Sequence, residues 1–476
     1  MSDEIGRRTE FLVVSSTSGA LLADLDDGFS EIGIRHRRRA HHRRSLCWMT
    51  TIRGVQTLRR LTDFLLAAFL ITILSPALVP LLVGAHVLGG GVRKRQRLGR
   101  WATRFDQYEF RFLEVPRFSH LKFLNLFPAL FNILKGDMSF VGPRAVSPDE
   151  TLTKTRTAWK RYDLRPGLLS LWWLRKRANI AYTNEIGLDI EYVETNTLWG
   201  DLGIASRAIP AIFLGGGGSN APIELKFLGV RIDNLTMADA SEKIVTWAQA
   251  DEPVQVCFVN ADCVNIAFAD HRYRAILSEA ELVLADGIGV RIAGAILNQN
   301  IRENINGTDM LPYLCKAMEI AGLRLYLLGG RSGVPEGAAA LMIERYPLLK
   351  VAGIRHGYFN EEEQLQVIQD IVASKADVLL VALGVPRQDK WIAEHMKELG
   401  VKVAIGVGGL LDFYSGRIPR APIWMRELGM EWLYRFWQEP RRMWRRYFMG
   451  NVLFLYRVVR ERMRTVRKSH NEGIVS

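Results

Sequence analysis

Asp286 stands where a carboxylate can do chemistry. It closes an apolar run, Glu281–Ala285, that reads as a strand, and Gly287 and Gly289 behind it let a substrate approach the backbone. A carboxylate in that position can take a proton from a hydroxyl; the position suits a helix cap equally well. Asn260 follows another strand-like run, Val254–Val259, where its amide can hold a substrate hydroxyl. Gly329-Gly330-Arg331-Ser332-Gly333 falls where a helix begins, so its amides suit a phosphate. The spacing is not the full GxGxxG, and Gly353-Ile354-Arg355-His356 occupies the place where a dinucleotide site wants an acid. Gln388 and Asp389 of GVPRQDKW follow a third strand, and Arg420 lies in GRIPRAP. Arg435, Arg442 and Arg445 share a helical face if the bend at Pro440 permits. This half has no Asp-x-Asp at a strand end, so arginine is the available counter-charge for a departing diphosphate. No metal and no cofactor is expected.

These residues need a frame. Strand candidates at Val254–Val259, Glu281–Ala285, Arg324–Leu328, Lys350–Ile354, Val378–Leu383 and Val401–Val407 alternate with helical runs. That pattern predicts a Rossmann-like α/β domain over 224–430, whose ligands sit at the strand-to-loop crossings. A basic amphipathic appendage rich in Trp and Arg follows over 431–476, and its later part, Val452–Ser476, is expected to meet anionic lipid. The run GGGGSNAP marks a linker over 213–223. Upstream, short amphipathic runs predict an α-rich module over 56–212, preceded by a basic arm over 1–55 that ends in RHRRRAHHRR. Residues 64–88 carry no Asp, Glu, Lys or Arg, yet Ser75-Pro76 breaks the run and both flanks are basic. Basic flanks belong on the cytoplasmic side, so a re-entrant hairpin is expected in place of a simple span.

The chain has 476 residues, 48% of them apolar, and a formal net charge of +13, which calls for an anionic partner. No motif that reads nucleic acid accompanies the charge. The four cysteines show no CxxC spacing and read as reduced, buried thiols. The start of the chain has no apolar signal-peptide core. A homo-oligomer is compatible with the composition.

FVNADCVN, LADGIGV, NGTD, LLGG, GVPRQDKW, GRIPRAP and EWLYR occur in order between Leu225 and Tyr456. In this the chain resembles the WecG/TagA/CpsF glycosyltransferases. The resemblance implies inverting transfer of a sugar from a UDP-linked donor to an undecaprenyl-diphosphate-linked acceptor. It makes Asp286 the base, with Arg435, Arg442 and Arg445 closing over the site. It makes Asn260, Gly287, Gly329, Gly330, Gln388, Asp389 and Arg420 substrate-binding. Asp389 departs mildly from the glutamate usual in the family.

The stretch over 57–212, with LFPALFNILKGDMSFVGPR, RKRQRLGR, YEFRF and DIEYVETNTLWGDL, resembles the bacterial sugar transferases, monotopic phosphoglycosyl transferases. That family reads Leu-Asp-Glu-Leu-Pro where this chain has Leu124-Asn125-Leu126-Phe127-Pro128. An amide and an isobutyl group cannot attack phosphorus. The resemblance therefore implies a silent module at the cytoplasmic face of a bacterial inner membrane. Two alternatives are a module made active by another nucleophile such as Asp137, and a non-enzymatic scaffold.

Overall fold

The computed structural model describes residues 54–76, 80, 83, 91–110, 125–150, 158–178, 180, 182, 184–214, 222–299 and 301–472. The basic arm, most of the apolar run beyond Pro76 and most of the Gly-rich linker lie outside the described residues, so the hairpin expectation turns on residues not described. Among the described residues, no helix is long and apolar enough to cross a membrane.

The carboxy-terminal part is built on an eight-stranded sheet. In chain order its strands are β5 (Glu224–Phe227), β6 (Val230–Asp233), β7 (Val254–Val259), β8 (Leu282–Ala285), β9 (Arg324–Gly329), β10 (Lys350–Arg355), β11 (Val378–Ala382) and β12 (Val403–Gly406). They lie in the order β10-β9-β11-β12-β7-β8-β6-β5, parallel except at the β5–β6 hairpin on the edge. The central strands are apolar but for Gln255 in β7, and β7 and β8 are buried at every position. That is the signature of a sheet covered by helices on both faces. After β8 the chain crosses to the other side of β7 and β12 to lay down β9. A crevice opens where the winding changes direction, outside the carboxyl ends of the strands. The six strands expected from the sequence are all present; the β5–β6 hairpin is an addition.

The amino-terminal part is less purely helical than its composition implied. RKRQRL forms β1 (Val92–Leu98), paired antiparallel with β2 (Arg104–Phe110), and β3 (Ser139–Val141) pairs with β4 (Gly167–Leu169). Its charged motifs hold the scaffold. Arg60 donates to the carbonyls of Ile133 and Leu134, and Asp63 accepts from the Phe140 amide, which seats the helix over residues 54–76. Asp189 pairs with buried Arg161, Glu191 takes both Nη atoms of Arg175 end-on, and Asp201 takes Arg59 and the Tyr192 hydroxyl. Asp137 accepts from Asn132.

The two parts meet in a polar seam. Glu427, buried, receives Arg175 and Arg207 from helices Leu171–Ala178 and Leu198–Leu214. Breaking such a trio from one side leaves a buried charge unmatched.

Helix Gly450–Glu472 packs one face of the C-terminal run against the domain and leaves the other exposed. Phe454 and Val458 are buried in the core, the Leu228 amide donates to Glu461, and Arg457 lies 4.1 Å over the Phe268 ring. The other side, with Val452, Tyr456, Val459, Met463 and Val466, is exposed, as is every residue over 463–467. Amphipathic spacing reports that one face is apolar, not whether protein or lipid covers it.

Candidate active site

A cavity of about 810 Å³ opens at the carboxyl ends of β7, β8, β9, β11 and β12. Asp286 lies in its wall. Its amide donates to the Val259 carbonyl at 2.9 Å, and the next residue turns sharply: Gly287 has φ 89°, a left-handed value that glycine adopts without strain. The Gly287 amide donates to Asn304 Oδ1 at 2.5 Å. Gly287, with no side chain to contribute, is the cap of helix Ile288–Leu297, so Asp286 is not spent on capping.

Asn260 lines the cavity where it was expected, and it has further partners. Its side-chain oxygen accepts the amides of Asp262 and Cys263, capping helix Ala261–Ala269, and its amide hydrogen-bonds Asp286. Asn260 thus orients the carboxylate. Burial raises the Asp286 pKa to about 6, with the Glu431 carboxylate pushing the same way; Arg446, Asn260 and Arg435 pull it down. A base poised near neutrality suits proton abstraction from a hydroxyl.

This gives a signed prediction. The acid limb of kcat/KM is expected near pH 6, with activity lost as the base protonates. Asn260→Ala moves that limb up and Glu431→Gln moves it down, because the first removes a donor to the charged form and the second a like charge. A pH–rate profile on the three proteins checks both directions; parallel profiles would refute the assignment.

The arginines need correction. Arg435 and Arg446 line the cavity; Arg445 is exposed away from it, and the side chain of Arg442 lies outside what is described. Arg435 stacks on Phe413 at 5.1 Å and crowds Gly409, where an added Cβ would sit 2.5 Å from Nη2. Arg446 holds Asp262 at 3.1 Å. The regular spacing drawn through 435–445 fails because the helix Glu431–Gln438 stops at Glu439 and a wide π turn runs over Arg445–Met449. That turn presents Arg446 in place of Arg445.

Three further expectations land behind the wall. Gln388 accepts from the Gly408 amide at 2.9 Å, and Asp389 is fully buried, accepting from the Tyr273 hydroxyl at 3.0 Å. Both brace the Gly406–Gly409 loop from beneath. Burial raises the Asp389 pKa to about 7, against the pull of Tyr273. Arg420 pairs with Asp309 at 2.6 Å beside Arg426, and of these two arginines only Arg426 reaches the cavity. Gly329 and Gly330 serve the backbone path. A Cβ on Gly329 would strike Ala382, and the Gly330 amide donates to the Ala382 carbonyl at 3.2 Å. The cavity meets this loop through Gly330 and Arg331.

Glu431, Arg446, Asn304 and Tyr447 complete the wall. From the sequence, Arg446 reads as an arginine for lipid, and Glu431, Asn304 and Tyr447 carry no assigned role. EWLYR contains Glu431 and carried a signal, but nothing marked it as the neighbour of Asp286.

The family model for glycosyl transferases of the WecG/TagA/CpsF type matches residues 225–468, just over half of the chain. The chain belongs to the WecG/TagA/CpsF family. A bacterial sugar transferase model matches residues 111–215. Among curated proteins, this family member is similar to three from Staphylococcus aureus, each named N-acetylglucosaminyldiphosphoundecaprenol N-acetyl-beta-D-mannosaminyltransferase. The protein of strain MRSA252 is 31% identical over 248 residues, 52% of this chain and 96% of that protein. Those of strains MW2 and NCTC 8325 / PS 47 are 30% identical over the same shares. This WecG/TagA/CpsF protein is accordingly an enzyme, a glycosyltransferase.

Proposed function

We propose that this glycosyltransferase moves a sugar from a UDP-linked donor to a sugar carried on undecaprenyl diphosphate, with inversion, at the cytoplasmic face of a bacterial inner membrane. The product would enter exopolysaccharide or another envelope glycan. The observation that carries the reading is Asp286: a carboxylate with its pKa raised to about 6, oriented by Asn260, in a cavity that also presents Arg435 and Arg446. In this mechanism Asp286 takes the proton of the acceptor hydroxyl as that oxygen attacks the anomeric carbon. The two guanidiniums meet the charge growing on the departing diphosphate. The relatives' name supplies the acceptor class, N-acetylglucosaminyl-diphosphoundecaprenol, and the donor sugar of those proteins, N-acetylmannosamine.

Exposed apolar groups support membrane seating. Leu61, Leu65, Phe69 and Ile73 stand out from the helix over residues 54–76, and Trp437, Trp444 and Met449 from the region beside the cavity. The test is incubation of purified protein with N-acetylglucosaminyl-diphospho-lipid and a panel of UDP- and GDP-sugars. Extension of the lipid-linked sugar with release of UDP is expected; failure with every donor would end the reading.

The amino-terminal module is assigned no chemistry of its own. Asn125 stands where an attacking carboxylate would be needed, and Asp137 is engaged by Asn132. With UDP-sugar alone the wild type is expected to form no phosphosugar–enzyme adduct by intact mass, and Asn125→Asp with Leu126→Glu is expected to leave sugar transfer within twofold. An adduct on the wild-type module would restore the two-activity alternative.

A further inference from the structure

The cavity has a second pair of cations that the mechanism above does not use. Arg291 lies on helix Ile288–Leu297, one turn beyond Gly287. Arg177 lies at the end of helix Leu171–Ala178 in the amino-terminal module. Both line the cavity, and Arg291 Nη2 donates to the Arg177 backbone carbonyl at 3.2 Å, so the two residues are held together across the seam. The Arg177 guanidinium is stacked on the Trp173 ring at 5.2 Å, which fixes it without neutralising it. The wall around the pair is apolar: Ile180, Pro210 and Ala211 from the amino-terminal module, Ile292 and Leu428 from the other.

We propose that Arg177 and Arg291 form a binding site for the diphosphate of the lipid-linked acceptor, so that the amino-terminal module supplies part of the acceptor site. The inference rests on the glycosyltransferase reading above. Three observations lead to it. First, the two residues are tied together by the Arg291 Nη2 to Arg177 carbonyl bond and both line the cavity, so two guanidiniums are available to one ligand there. Burial lowers the Arg291 pKa to about 10, and the charge of Arg177 adds to the effect. Arginine forks are also the side chains that match phosphate oxygens two at a time. Second, the placement fits an acceptor. Four residues of helix separate Gly287 from Arg291, roughly 6 Å along the axis. With the attacking hydroxyl at Asp286, the diphosphate on the other side of the same sugar ring falls at Arg291. Third, the apolar residues beside the pair belong to the module with the exposed apolar helix, a path suited to a polyprenyl chain. Glu427 also faces the cavity, but Arg175 and Arg207 match its charge.

The proposal gives the amino-terminal module a reason to exist without a nucleophile. It would act on the acceptor by holding it, not by making it.

The test uses the full-length chain in detergent, saturated with UDP so that the donor end of the cavity is filled. Two probes are titrated, inorganic pyrophosphate and farnesyl diphosphate. Wild type is expected to bind farnesyl diphosphate at least tenfold more tightly than pyrophosphate. Arg177→Gln and Arg291→Gln are each expected to weaken farnesyl diphosphate at least tenfold with UDP affinity within twofold, and to raise the acceptor KM more than they lower kcat. Arg177→Gln keeps the backbone carbonyl that Arg291 uses, so it removes the charge and leaves that seam contact. Arg177→Lys is expected to recover part of the binding. Equal affinity for both probes, lost in the Gln variants, supports the diphosphate site and assigns it to a free anion in place of a lipid. Unchanged farnesyl diphosphate affinity in folded Arg177→Gln overturns the proposal. Binding that persists and responds to the variants while no donor supports transfer would sink the glycosyltransferase reading and leave this site standing.

Discussion

Asp286→Asn is expected to fold, to bind UDP as wild type does, and to lose about 10²–10⁴ in kcat, the usual cost of removing a general base. The substitution keeps the shape of the side chain and an oxygen for the Asn260 amide, and it removes the proton acceptor. It should also make the protein more stable at neutral pH. Asp286 has a folded pKa raised above the ordinary value of 3.8, to about 6. Its contribution is therefore most favourable below about pH 4 and is lost as pH rises through 6, where the folded state has to carry a poorly solvated charge. At pH 7.5 the asparagine variant escapes that cost, at most about 3 kcal/mol by the free energy of two pKa units. Thermal melts at pH 4 and pH 7.5 should show a clearly larger advantage for the variant at the higher pH. A variant with turnover within threefold of wild type at saturating substrates would remove Asp286 from the chemistry. Equal melting shifts at the two pH values would show that the group is not held at high free energy.

The frame of this site was readable because its signals are local. Six strands announced themselves as apolar β-branched runs bounded by Gly and Pro, and all six lie in one sheet. Asp286 could be singled out because a strand end, an acid and two glycines are adjacent in sequence. What could not be read depends on distant pairings. Asn260 does line the cavity, but its partners, the amides of Asp262 and Cys263 and the carboxylate of Asp286 a strand away, were not legible. Gln388 and Asp389 follow a strand end just as Asp286 does, yet their side chains turn under the Gly406–Gly409 loop and away from the cavity. The strand Val92–Leu98 was hidden because four of its seven residues are charged; its cross-strand partners include Glu109 and Gln107, so polar pairing compensates for the missing apolar alternation. The seam was invisible for the same reason. Arg175, Arg207 and Glu427 are separated by more than two hundred residues of chain between the arginine helices and the acid.

The arginine assignment makes the sharper test, because the sequence and the structure choose different residues. Arg446→Gln and Arg435→Gln are each expected to lower kcat by about 10²–10³ on a short-chain soluble acceptor, the cost of removing one pre-positioned donor to a developing oxyanion. Arg445→Gln, exposed and off the cavity, is expected to stay within twofold. The two effective substitutions should differ in pH dependence. Arg446 holds Asp262 at 3.1 Å and pulls the Asp286 pKa down more strongly than Arg435 does. Losing Arg446 should therefore shift the acid limb upward by more than losing Arg435. Liposome sedimentation run beside the kinetics separates lipid contact from catalysis, since a residue that only meets membrane phosphate changes sedimentation and spares the soluble acceptor. If Arg445→Gln proves as damaging as Arg446→Gln on that acceptor, the appendage must rotate when substrate binds, and the face set by the π turn at Arg445–Met449 is not the one that works. If none of the three changes turnover, the departing diphosphate is met by other groups, and the appendage serves the membrane alone.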